Sequence, residues 1–483
     1  MNNMLRDLDQ SLSEHSIHMK KVFEMQQGAF EDDRNPTADI RIERLKRLRK
    51  VIIDGQQDIL DAVCVDFGHR AHEESRVAEI AGTIASLDYA VSHLRKWMHP
   101  RHRATSIWFM PAANKVIPQP IGVVGIMAPW NYPVNLALVP LISALAAGNR
   151  AMIKMSEMTP ATARVLRKLI REKFDESMIA IADGDAQDAA YFSSLAFDHL
   201  LFTGSTKVGR MVMAAAAKNL TPVTLELGGK CPVIVDNDYS IDEAALRILW
   251  GKTFNAGQTC VAPDYVMIPK GKTSAFIEAI SKHYTEHFPS GALADSYTST
   301  IDQNNYERLN ALVDMAKQSG ADVRIIEKQT EKHTAARKFP LTIVVNPPVG
   351  SRIMREEIFG PILPVFEHSG LHDAINRVNA EERPLGLYYF GNSAHQRSVV
   401  LEQTVSGGVA INDVMLQFLQ VDLAFGGVGA SGFGKYHGKE GFETFSHLKS
   451  VFVQRGMGSF TGLKLLYPPY GELGRRVISM MGG

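Results

Sequence analysis

The chain has 483 residues, 45% hydrophobic and 22% charged, with 52 basic residues against 52 acidic ones. That length supports two or three domains with substantial cores, and the composition is ordinary for a soluble globular protein. Balanced charge gives no field to recruit nucleic acid or an anionic membrane surface, which removes both from the expected partners.

No stretch holds the roughly 18–20 uninterrupted apolar residues of a membrane span. The N-terminal MNNMLRDLDQ lacks the apolar core of a signal peptide, and GRRVISMMGG at the other end has only a short apolar piece. Three cysteines, Cys64, Cys231 and Cys260, stand too far apart for a disulfide framework or a zinc cluster, so no metal site is expected. Reduced thiols fit a cytosolic compartment. The expectation is a cytoplasmic protein with no stable membrane anchor.

In chain order, helical periodicity runs from about residue 38 to 98. Residues 41–50 look basic in isolation. Ile42, Leu45, Leu48 and Ile52 recur there at helical spacing, so the charges form a solvated face. Cys64 lies mid-helix and receives no role. Residues 105–118 alternate small polar and apolar side chains, which predicts a pair of exposed strands standing away from the core. Three short apolar runs follow, each ending in a turn: 122–127 into APWNYP, 150–154 into MSEMTP, and 199–202 into TGSTKVG. Strands alternating with helices predict a parallel, doubly wound α/β sheet whose ligands sit at the carboxyl ends of the strands. A second set begins after residues 226–230, with strands at 232–235 and 265–268 and helices at 241–254 and 276–287. It repeats to about residue 430, giving a second α/β domain.

Gly204 and Gly209 bracket a turn, with Ser205 beside the first, that opens a helix. Glycines let backbone approach a phosphate, and a helix N-terminus favours its charge. The spacing matches neither the dinucleotide fingerprint nor a P-loop, so alone the motif is a weak signal against a plain strand–helix turn. Lys154 and Glu157, at the preceding strand end, suit ribose hydroxyls or are solvated loop charges. Glu226 stands between Leu225 and Leu227. Partial burial there raises a carboxyl towards general-base range, although a structural ion pair is the alternative. Cys260 follows a predicted helix end at 255–257, with Gly257 as its cap, and precedes a turn at Pro263 and Asp264. It reads as a thiol facing a cleft or as a small buried hydrophobe.

Together the segments APWNYP (128–133), IKMSE (153–157), FTGSTKVG (202–209), LELGGK (225–230), GQTC (257–260), EEIFGP (356–361) and FGGVGASGFG (425–434) resemble the aldehyde dehydrogenase superfamily over nearly the whole chain. The resemblance implies two doubly wound parallel-sheet domains plus a small β bridging element. The NAD-binding domain would comprise 1–100 and 120–227, the catalytic domain 228–434, and the bridging or oligomerisation element 101–119 with 435–483. It implies Cys260 as nucleophile, Asn131 with the Cys260 N–H as oxyanion donors, and Glu226 as the base for thioester hydrolysis. Lys154 and Glu157 would hold the adenosine ribose, Gly204, Ser205 and Gly209 the pyrophosphate, and Glu357 and Phe359 the nicotinamide ribose and ring. Glu157 would repel a 2′-phosphate, so NAD is favoured over NADP.

Pro140 stands where many tetrameric members carry a lysine. This departure, GQTCVAPDY, Tyr-His-Gly at 436–438 and Tyr-Pro-Pro at 467–469 resemble the class 3 group, typically homodimers acting on aromatic or medium-chain aldehydes. Within it the likeness is to bacterial coniferyl aldehyde dehydrogenases, so the expected substrate is a phenylpropenal. A broad aliphatic aldehyde dehydrogenase is the alternative. A non-catalytic relative would need none of Cys260, Glu226 and Asn131. Trp250, Tyr132 and His437 would line an aromatic pocket, with helix packing as the other reading of Trp250.

Overall fold

The computed structural model describes residues 13–348, 350–455, 464 and 466–482. The expectation placed on MNNMLRDLDQ, and part of that placed on 435–483, lie outside the described residues.

The described residues open with helices. Glu14–Asp32 is capped by the Ser13 hydroxyl, which accepts from the Ser16 N–H, and Ala38–Asp54 is capped in the same way by Thr37. The first is absent from the sequence reading, because only Met19, Val22, Phe23 and a few polar residues of it are buried. Strands β1 (Arg101–Arg103) and β2 (Ala112–Pro120) follow. Then come β3 (Val123–Met127), β4 (Arg150–Lys154), β5 (Ile179–Ala182), β6 (His199–Thr203) and β7 (Val223–Glu226). The next group is β8 (Pro232–Val235), β9 (Tyr265–Pro269), β10 (Asp322–Ile325), β11 (Thr342–Val345), β12 (Ile362–His368), β13 (Gly386–Phe390) and β14 (Gly408–Ile411). The two-residue β15 (Gly432–Phe433) and the nine-residue β16 (Ser446–Gln454) close the list.

These strands form three sheets. One is six-stranded in the order β15-β7-β6-β3-β4-β5, parallel except where β15 runs against β7. Its centre is buried on both faces, as an all-parallel core must be when helices cover both sides. The strand order reverses between β3 and β6. A doubly wound sheet opens its crevice there, so the turns after Met127 and Thr203 face one cleft. The second sheet is seven-stranded, β10-β11-β12-β9-β8-β13-β14, with only β10 antiparallel. The third is antiparallel, β1-β2-β16, and β16 pairs with β2 along its full length.

Helix Asn135–Ala147 is buried at every position, with Pro140 inside it. A helix apolar all round belongs in a core, and this one packs beneath the six-stranded sheet. Gly148 ends it in the left-handed region, its N–H bonding back to Ala144 and Leu145 carbonyls. Among the described residues no helix is long and apolar enough to cross a membrane.

Candidate active site

β7 delivers Glu226 to its carboxyl end, where the side chain is 2% exposed and neither carboxylate oxygen finds a hydrogen-bond partner. Burial pushes this carboxyl well above its ordinary range. Among the described residues no ion pair holds it, which speaks against the structural-pair alternative.

Cys260 arrives from the other sheet, five residues before β9 begins. Helix Ile241–Thr253 is started by the Ser240 cap and the first-turn acids Asp242 and Glu243. It ends at Phe254, so Gly257 is not its cap. Instead Asn255, Ala256 and Gly257 are all left-handed, at φ 52°, 50° and 72°. A non-glycine residue there is strained unless its surroundings hold it. They do: the Asn255 N–H donates to Glu74 Oε2 at 2.9 Å, and its Nδ2 donates to the carbonyls of Asn131 and Gln258, each at 3.1 Å. Gln258 then donates to the carbonyls of Asn255 and Ser299 and accepts from Ile301 N–H. The turn therefore delivers Cys260 on a fixed backbone.

The Cys260 side chain is part-buried and lines a cavity. Burial raises its thiol first, and the nearby Glu357 and Glu226 carboxylates raise it further. Its own N–H and that of Val261 act in the opposite sense. Cys231 is buried and donates its Sγ–H to the Cys260 carbonyl at 3.4 Å, a structural contact behind the loop. Asn131, at the turn after β3, is 3% exposed and donates Nδ2 to the Gln258 carbonyl at 3.1 Å. Nucleophile and amide thus come from two loops, and the carboxyl from the end of β7.

The cavity is lined by Val77, Ala78, Tyr132, Leu136, Trp250, Phe254, Thr259, Cys260, Val261, Met415, Phe418 and Leu419. Its wall is almost wholly apolar. Tyr132 and Phe254 lie 6.5 Å apart with nearly parallel rings, and Phe254 and Trp250 are 5.3 Å apart, giving an aromatic run outward to the partly exposed Trp250. The Tyr132 hydroxyl bonds to the hydroxyl of Thr259. His437 is not among the lining residues. It is buried behind Phe418 at 5.3 Å and stacked on Phe425 at 5.6 Å, with both ring nitrogens unpartnered and its pKa held down to about 4 by burial. Phe254, four residues after Trp250, shares its helix face, so that spacing carried a signal for it. Val77, Ala78, Met415 and Phe418 carried none.

Of the residues expected to hold a dinucleotide, Lys154 and Glu157 close and follow β4, Gly204, Ser205 and Gly209 follow β6, and Glu357 and Phe359 precede β12. Lys154 ends β4, and its buried Nζ donates to the carbonyls of Met155 at 2.9 Å and Gly184 at 2.8 Å, leaving one proton of three. Burial holds this ammonium below its usual pKa, opposed by Glu157 and Asp188. Glu157 is exposed. Ser205 caps helix Thr206–Ala217, and Gly209 in the first turn packs where a Cβ would meet Leu227. First-turn amides have no intrahelical partner, so this start is ready for an anion. Glu357 lies against Gly228, where a Cβ would come 2.0 Å from Oε2. Its carboxyl is pushed up to about 8 by burial and by Asp264, while the Gly229 N–H, Lys230 and Arg308 pull it down. Phe359 has φ 48° and packs edge-on against Trp130 at 5.2 Å. A lysine with a spare proton, a capped helix start and a carboxylate seated on glycine fit a phosphate-bearing dinucleotide. Among the described residues no group of three or more His, Cys, Asp or Glu side chains forms a metal cluster.

The sequence model of the aldehyde dehydrogenase family matches residues 13–451. Coniferyl aldehyde dehydrogenase of a Pseudomonas species (strain HR199) is 43% identical over 445 residues, 92% of each chain. The solved substrate-bound state of Staphylococcus aureus AldH superposes with a TM-score of 0.90 at 36% identity, covering 96% of this chain and 99% of that one. PnpE in complex with nicotinamide adenine dinucleotide superposes with a TM-score of 0.83 at 25% identity, over 91% and 90% of the two chains.

Proposed function

The chain belongs to the aldehyde dehydrogenase family, and from that premise we propose that it oxidises a phenylpropenal such as coniferaldehyde to the free acid with NAD, or less readily NADP. The observation that carries this reading is the placement of Cys260 on the wall of an apolar, aromatic-lined cavity beside the unpartnered carboxyl of Glu226.

In this mechanism the Cys260 sulfur adds to the aldehyde carbon, giving a thiohemiacetal. The oxyanion takes hydrogen bonds from the Asn131 side-chain amide and the Cys260 N–H. Lys154, Glu157, Ser205, Glu357 and Phe359 would hold the dinucleotide, whose nicotinamide would supply the hydride acceptor for oxidation of the adduct to a thioester. Glu226 then removes a proton from water as that water attacks the thioester carbonyl. Carboxylic acid leaves and the Cys260 thiol is restored. A carboxyl raised by burial suits this base, because it holds a proton strongly once it has taken one. A glutamate at 157 beside Lys154 favours NAD, since it repels a 2′-phosphate.

The ring run of Tyr132, Phe254 and Trp250 supports an aromatic substrate, as does the name of the Pseudomonas relative. The exposed apolar side chains of Leu448 and Phe452 on β16, with Ile107 and Met110 nearby in the chain to β2, support pairing of two copies through the three-stranded sheet. Three free thiols agree with a cytoplasmic setting.

Purified protein assayed with coniferaldehyde and hexanal, each with NAD and NADP, tests the proposal. The expected result is a higher kcat/KM for coniferaldehyde with NAD, and no turnover in Cys260→Ala. A clear preference for hexanal overturns the substrate assignment. Undiminished turnover in Cys260→Ala overturns the mechanism.

A further inference from the structure

We propose that Arg70 is the positioning residue of the oxyanion site, holding Asn131 and the 255–258 turn in register through one buried guanidinium. The inference rests on the reading of Asn131 as oxyanion donor given above.

Arg70 is fully buried. Burying a charge is costly unless it is paired and bonded, so its partners show what it is held for. Nη1 donates to Glu79 Oε1 at 3.0 Å and to the main-chain oxygen of Asn131 at 3.1 Å. The guanidinium lies 5.0 Å from the centre of the Phe67 ring and 4.9 Å from that of Tyr132. Its Nε is 3.5 Å from Glu74.

Four of those partners, Glu79, Glu74, Asn131 and Tyr132, reach the reaction centre. Glu79 accepts with its other oxygen from the N–H groups of Val134 at 3.2 Å and Asn135 at 2.8 Å, so the Arg70–Glu79 pair grips the 131–135 segment at both ends. Glu74 accepts from the Asn255 N–H and so holds the left-handed turn before Cys260. The Asn131 carbonyl joins the two branches, taking Arg70 Nη1 and Asn255 Nδ2 together. Tyr132 carries a third branch through its hydroxyl to Thr259.

The local fold is shaped for this. Glu79 lies in a π-helical turn, Arg76–Ala81, inserted between two α-helical stretches. Such turns re-aim side chains by one position and recur at functional sites. This one presents Val77 and Ala78 to the cavity and Glu79 to Arg70. A role in packing alone would not require the charges, because apolar groups of similar size often replace a buried pair without loss of stability.

The test compares Arg70→Lys and Arg70→Met, alone and combined with Asn131→Ala, in the full chain with aldehyde and NAD. Lysine keeps the charge but loses the planar guanidinium that sets Nη1 against Glu79 and Asn131 while Nε faces Glu74, and methionine loses both. Misplacing a catalytic group costs up to about 100-fold. The expected loss in kcat is therefore about 10-fold for Arg70→Lys and towards 100-fold for Arg70→Met, with KM and NAD affinity within about twofold of wild type. Acylation by 4-nitrophenyl acetate, which forms an oxyanion without any hydride transfer, should fall in parallel. In the Asn131→Ala background the Arg70→Lys factor should shrink to about twofold or less, because residues acting as a unit are not additive. If Arg70→Met does not fold, Arg70→Lys carries the test.

Wild-type kcat in Arg70→Lys overturns the inference, as does a full, additive loss in the Asn131→Ala background. Wild-type kcat in Asn131→Ala overturns the underlying reading as well, and so is told apart from failure of the inference alone.

Discussion

The side-chain amide of Asn131 donates to the main-chain oxygen of Gln258, two residues before the nucleophile, at 3.1 Å. One amide proton is thereby fixed by the loop that carries Cys260, and the planar amide leaves the second proton as the available donor. A donor held in this way needs no reorganisation when charge develops, which is where oxyanion stabilisation gets its size. Asn131→Ala should reduce kcat by about 100- to 1,000-fold with little change in protein melting. Steady-state NADH formation measures it, and a loss under threefold would remove Asn131 from the chemistry.

Glu226 divides the reaction in time. Its carboxyl makes no hydrogen bond and is held protonated well above the ordinary carboxylate range. As a base for water it acts only when ionised, so thioester release should accelerate as pH rises through that elevated pKa. Glu226→Gln keeps the shape and removes the base. The variant should produce a burst of NADH close to one per active site, then a slow steady rate that no longer follows the same pH rise. Mass spectrometry of the quenched protein should find the acyl group on Cys260. Full steady-state turnover in this variant would assign the base elsewhere.

The thiol itself is tuned by neighbours of like sign. Burial is the larger cause of its raised pKa, and Glu357 is the next. Glu357 titrates at about 8, so below that pH it is neutral and repels no thiolate. Above it, ionised Glu357 disfavours the thiolate. Alkylation of the cofactor-free protein by iodoacetamide should therefore rise with pH later than for an ordinary cysteine. Glu357→Gln should react faster than wild type above about pH 8, with the difference closing below it. Identical pH profiles for the two proteins would show that Glu357 leaves the thiol unaffected.

The positions legible in the sequence are those where a turn ends a strand. Asn131, Lys154, Ser205 and Glu226 all follow or close short apolar runs, and the period-2 and period-3.6 patterns place such ends well. Arg70, Glu74 and Glu79 were not legible. They sit in an ordinary amphipathic stretch, and their partners are 61, 181 and 55 residues away in the chain. The reading of His437 as a pocket residue failed for a related reason: the sequence sets it beside Tyr436 but cannot tell that Phe418 comes between it and the cavity. The helix end before Cys260 was misplaced because Ala256 rarely adopts a left-handed conformation by its own preference. Bonds from Glu74, Asn131 and Gln258 to the neighbouring Asn255 and loop impose it, and local propensity cannot foresee them.

That turn gives the sharpest test of how geometry reaches the nucleophile. Gly257 has φ +72°, and a Cβ there would lie 2.6 Å from the Gly360 carbonyl oxygen and 2.9 Å from that of Lys252. Both obstacles are backbone, so no side chain can swing aside. Gly271 is the matched control: φ is +80°, the residue is exposed, and nothing lies within 4 Å of its virtual Cβ. Alanine at either site meets the left-handed penalty, about 1–3 kcal/mol. Only at 257 must the loop also move away from Gly360, which directly follows Phe359. Gly271→Ala should lower the melting temperature slightly and leave kcat at wild type. Gly257→Ala should melt lower still and lose kcat by about 100-fold or more, the scale of a misplaced nucleophile. Weakened NAD binding should accompany that loss, because the same displacement reaches Phe359. Equal effects from the two alanines would mean that the contact with Gly360 does not set the position of Cys260.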